Sequence, residues 1–97
     1  MQEADIKKFE DDQLVTLWYL GRRRQGIITP SIDDTFAFRT LEGGILMSNY
    51  FRRGEVTILP NREIKVNEGI YLHGSHVFIF DSDPVSAYKK TLEKLLH

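Results

Sequence analysis

Apolar and polar positions alternate most clearly between residues 35 and 81. Over residues 35–41, Phe36 and Phe38 alternate with Ala37 and Arg39, the period-two pattern of a half-buried strand. Glu42, Gly43 and Gly44 break the run with residues that tolerate positive φ, which predicts a hairpin into residues 45–51. Arg52, Arg53 and Gly54 form the next turn, after which Val56 and Ile58 share one side. Pro60 and Asn61 turn the chain again, and Ile64 and Val66 repeat the alternation. Beyond a turn at Asn67, Glu68 and Gly69, residues 70–72 read as a strand and Gly74-Ser75 as a two-residue type II′ loop. Residues 77–80 are apolar on both faces, the mark of a central strand covered on both sides.

The two ends read differently. Asp83 suits a helix N-cap, and Pro84 suits the first helical position, where its missing N–H costs nothing. Val85, Tyr88, Leu92 and Leu95 recur at helical spacing while Lys89, Lys90 and Glu93 turn outward, so an amphipathic helix packs on the sheet. Over residues 3–24, Ile6, Phe9, Leu14, Leu17 and Leu20 fall on one broad helical face, with acids early and arginines late as the helix dipole favours. Gly26, or Gly21 for a shorter helix, would end it. Two other readings compete: a helix capped only at Asp11-Asp12, and a strand over residues 15–20, since Val, Thr, Trp and Tyr suit a sheet. Helix is the expectation. Residues 26–34 read as a connector, with a short strand at Ile27-Ile28 and turn chemistry at Pro30, Ser31, Asp33 and Asp34.

Together these elements predict one α+β domain over residues 1–97. Its antiparallel sheet has about five or six strands, covered by the C-terminal helix and an N-terminal one. A meander of strands closed by one C-terminal amphipathic helix is similar in outline to pleckstrin-homology-like domains. That resemblance implies the alternative architecture, a partly open β-barrel closed by the C-terminal helix.

Composition narrows the function classes. At 97 residues, 41% hydrophobic and 28% charged, the chain can bury one core unaided. The net charge of −1 supplies no global field toward nucleic acid or an anionic membrane. The absence of cysteine removes disulfides, thiolate metal sites and thiol nucleophiles, and fits a reducing compartment. The opening residues are acidic where a signal peptide would be basic, and the apolar runs fall far short of a membrane span. A soluble cytoplasmic protein with no membrane partner is expected.

Chemistry is sparse. There is no phosphate-binding glycine loop, no nucleophile elbow and no metalloprotease helix, and adjacent acids such as Asp11-Asp12 and Asp33-Asp34 read as caps and turns. No catalytic residue, cofactor or metal is assigned, and the chain is read as non-enzymatic. His73 and His76 would face each other across a Gly74-Ser75 loop, but two ligands fall short of the three or four a metal site needs. Trp18 and Tyr19 followed by Arg22, Arg23 and Arg24 form the stronger candidate, because these residue types dominate interface hot spots. On a helix, Val15, Trp18, Tyr19 and Arg22 would make a second stripe for a partner. Arg52 and Arg53 extend this surface if their turn lies at the same end of the sheet. A binding or regulatory module acting on another protein is the expected function, with homodimerisation as one form of it. The alternative is a nucleic-acid-binding protein that stacks bases on the same rings.

Overall fold

A computed structural model describes residues 12–31, 33–78 and 83–96, and for residues 73–78 the backbone alone. Seven strands make one mixed sheet: β1 (Gln13–Tyr19), β2 (Arg22–Pro30), β3 (Thr35–Glu42), β4 (Ile45–Arg52), β5 (Val56–Leu59), β6 (Glu63–Val66) and β7 (His73–Phe78). Among the described residues one α-helix, α1 (Asp83–Leu96), follows. The spatial order is β5-β6-β1-β2-β3-β4-β7. Every neighbouring pair is antiparallel except β1 with β6, which run parallel. The sheet is not closed into a barrel, since β5 and β7 end the strand order at opposite edges.

The N-terminal helix is not supported. Residues 13–24 lie in the β1–β2 hairpin, with Gln13 opposite Ile28 and Tyr19 opposite Arg22. Residues 1–11, the rest of that expected helix, lie outside the described residues. Leu14, Val15, Leu17 and Tyr19 fit either period over so short a run, and cross-strand pairing decided between them. The hairpin turns on Leu20 and Gly21, both at positive φ (52° and 76°), which is the type I′ geometry whose twist matches paired strands. Gly26 ends nothing. It sits inside β2 opposite Val15, where a Cβ would meet the Arg39 carbonyl oxygen and come within 2.7 Å of Phe38 Cζ. The backbone of β3 approaches β2 there as only glycine allows.

The hairpin at Gly43 and Gly44 joins β3 to β4 as the sequence implies. After β4, a 3-10 turn at Arg53–Glu55 sends the chain to β5, and the β5–β6 hairpin lies beyond β1. Residues 70–72 form no strand, although Ile70 and Leu72 pack on the core and the Leu72 N–H donates to the Tyr19 hydroxyl at 3.2 Å. Gly74 and Ser75 are not a loop, because β4 pairs with β7 through both His73 and His76, with a bulge at Asn49 and Tyr50. The apolar run at residues 77–80 was expected in a central strand. Its described part lies instead in β7, at an edge.

Alternation divides the apolar residues between two faces. Val15, Leu17, Ile28, Phe36, Phe38, Phe51, Ile64 and Val66 make one buried cluster on the inner face. Ile27 and Leu46 belong to the outer face, where Val85 and Tyr88 of α1 cover them and Leu14, Leu41, Leu92 and Leu95 close the rim. The helix is the element the sequence defined best. Its four apolar positions all pack inward, and Lys89, Lys90 and Glu93 are exposed. Burying one such large side chain contributes about 1.5–3 kcal/mol, so α1 is held mainly by these contacts.

Candidate functional site

The strand geometry of β1 and β2 splits the aromatic-basic cluster in two. Residues opposite each other in an antiparallel pair share a face, and neighbours along a strand do not. Trp18 stands opposite Arg23, whereas Tyr19 stands opposite Arg22 and Leu17 opposite Arg24. Tyr19 therefore packs against the inner core, and its hydroxyl holds the 70–72 segment. Arg24 lies on that same side and pairs with Glu42 at 3.3 Å. The helical stripe of Val15, Trp18, Tyr19 and Arg22 does not exist, because it required a period the chain does not adopt.

What remains on the outer face is a smaller and better-ordered group. The Trp18 indole N–H donates to Glu63 Oε1 at 2.6 Å, and the Arg23 guanidinium lies 5.0 Å from the centre of the Trp18 ring. The parallel strand β6 places Lys65 beside Trp18 and Glu63 beside Thr16. Trp18 is half-buried, while Arg23 and Lys65 are exposed. A cation over an indole is attracted to the ring face, and the charge-assisted bond to Glu63 fixes the ring's orientation. Among the described residues neither Arg22 nor Arg23 pairs with a carboxylate. At the hairpin tip, Leu20 is 71% exposed in a backbone conformation that leucine rarely adopts.

Arg52 and Arg53 do not join this group. Arg52 stands opposite Thr35, and the Arg53 N–H donates to the Asp34 carbonyl, both at the Pro30 end of β2. Arg22 and Arg23 lie at the other end of that nine-residue strand, about 26 Å away at ~3.3 Å per residue. The Arg52 N–H donates to Glu55 Oε1 at 2.7 Å, which gives this turn a local structural role. His73 and His76 lie on one strand rather than across a loop, and among the described residues no group of three or more metal-ligating side chains forms.

One charged residue of interest passed unnoticed in the sequence. Arg39 occupies the polar half of the β3 alternation, which suggested solvent, yet α1 covers that face. Its Nη2 donates to Thr29 Oγ1 at 2.7 Å and its Nε is buried without a hydrogen-bond partner. The guanidinium lies 5.9 Å from the Tyr88 ring centre. Burial pushes the Tyr88 hydroxyl above its ordinary 10.0, and the nearby Arg39 charge pulls it back in part. The signal that could have found Arg39 is the helix itself. An amphipathic helix must bury its stripe on some sheet face, so half of the "outward" positions on the central strands are covered.

No family model, curated protein or solved structure matches the chain, so relatives contribute nothing to the reading of these residues. No helix among the described residues is long and apolar enough to cross a membrane.

Proposed function

We propose that the chain is a non-enzymatic binding module that acts through protein–protein contact, using the outer face around Trp18, Arg23 and Lys65 and the adjoining tip at Leu20 and Arg22. The observation that carries this reading is the Trp18 ring, oriented by Glu63 and overlain by Arg23 at the surface. A large aromatic whose rotamer is fixed before contact loses little entropy on binding, as an interface anchor requires. The exposed cations Arg23 and Lys65 beside it, paired with no carboxylate among the described residues, favour an acidic partner segment that carries an apolar side chain. One of these details counts against nucleic acid as the partner: Arg23 occupies one face of the ring that a base would stack on.

The test follows the Trp18 indole N–H resonance while synthetic peptides rich in Asp and Glu, each with one Leu or Trp, are added. Their basic counterparts and a single-stranded oligonucleotide serve as comparisons. The expected result is saturable perturbation by the acidic-apolar peptides alone, lost in Arg23→Glu and weakened but not abolished as salt rises. Binding of the oligonucleotide alone, with affinity falling steeply as salt rises, would replace this reading with the nucleic-acid one. A Trp18-dependent dimer in sedimentation would make a second copy the partner.

A further inference from the structure

The underside of α1 carries a second feature, separate from the Trp18 face. Between the first turns of the helix and strands β2, β3 and β4 lies a pocket of about 420 Å³, within the range of small-molecule sites. Its walls join the apolar Ala37, Leu46, Pro84 and Ala87 to the hydroxyl-bearing Thr29, Ser48 and Tyr50, with Arg39 as the cation among them. Apolar and hydroxyl-bearing groups thus surround a single positive charge.

Among the described residues that charge finds little compensation. Arg39 is half-buried, and a cation drawn partly out of water ordinarily keeps a carboxylate or several hydrogen-bond acceptors. Arg39 has one neutral acceptor in Thr29 and the face of Tyr88, and among the described residues no carboxylate pairs with it. Its Nε is closed off and unpartnered, so an incoming anion would meet the terminal guanidinium nitrogens from the pocket side. Because the guanidinium charge is delocalised, an anion there offsets the whole group.

We infer that this pocket binds a small organic monocarboxylate, its carboxylate on Arg39 and its apolar body against Ala37, Leu46, Pro84 and Ala87. A single cation suits one negative charge rather than a polyphosphate, and the apolar wall gives an organic body what inorganic anions lack.

The experiment uses the full chain and three probes: phenylacetate, the neutral phenylacetamide, and inorganic phosphate, each titrated to 10 mM at constant ionic strength. Melting temperature and backbone amide shifts are read together. Phenylacetate is expected to raise the melting temperature by a few degrees and to shift amides of β3 and the start of α1, with the other two probes inert. Arg39→Met should abolish the effect, and so should Ala87→Leu, which fills the pocket while leaving the charge in place. The second variant keeps the test valid if the first disturbs folding. Equal stabilisation by phenylacetamide would overturn the role of Arg39, and equal stabilisation by phosphate would overturn that of the apolar wall. An effect that survives Ala87→Leu, or no effect from phenylacetate at all, would overturn the site.

Discussion

Gly26 and Arg39 meet at one point, and each constrains what the other's strand can do. The missing side chain at Gly26 lets the Phe38 ring lie against β2 and the Arg39 carbonyl approach it. A methyl group there collides with backbone that cannot give, so Gly26→Ala is expected to cost about 1–3 kcal/mol, on the scale of overpacking in a closed core. A urea titration measures it directly. If the loss stays within ~0.5 kcal/mol, ordinary for an unconstrained surface site, the contact is not a constraint. From sequence, Gly26 read as a helix end or as the start of a connector, and neither use implies the strand interior where it sits. Trp18 is a similar case. Its residue type marked it as an anchor, but its face and its Glu63 partner depend on β6, whose Glu63 lies 45 residues further along. No local pattern encodes that pairing.

At the level of elements, legibility followed how far each one states its own period. The helix α1 repeats four apolar positions over 14 residues and opens with Asp-Pro, so its start and its buried face could be read directly. The β3–β4 hairpin was equally plain, with Phe36 and Phe38 alternating ahead of two glycines. The strand β2 gave no such signal, because its first four residues are three arginines and a glutamine. They are strand because β1 pairs with them. The fit of α1 on the sheet also has a pH signature. Tyr88 keeps its proton in the native state at pH values where the unfolded chain, near 10.0, has released it. The unfolded state then binds fewer protons, so stability present below that pH is lost as the pH rises through 10.0 toward the raised native value. Tyr88→Phe cannot ionise. Denaturation of both proteins at pH 8 and 11 should show wild type losing more stability than the variant, and equal losses would mean that Tyr88 is solvated in the native state.

The whole molecule is a four-strand meander extended at both edges: β7 beside β4, and the β5–β6 hairpin beside β1. The meander itself rests on local turns, yet only its β3–β4 half could be read, because the residues of β1 and the start of β2 also fit a helical period. The two extensions require the chain to cross the sheet after β4 and again after β6, and sequence spacing gives no sign of either crossing. They also separate the candidate sites from their local context. The Trp18 face exists only once β6 is in place, and the Arg39 pocket only once α1 has docked.

The parallel junction between β1 and β6 rests on three residue pairs, from Thr16 with Glu63 to Trp18 with Lys65. On a ribosome, β1 emerges early and waits for a partner strand that is still unmade. At ~5–20 residues per second, those 45 residues take roughly 2–9 seconds to appear. During that interval the free edge of β1 is open to any neighbouring strand, including the same edge of another nascent copy. A chain ending at residue 55 should therefore aggregate in cell-free translation, and the full chain should not. Equal solubility of the two would mean that something other than β6 guards that edge. The shortest seam in the sheet thus sets the interval in which this protein most needs a chaperone.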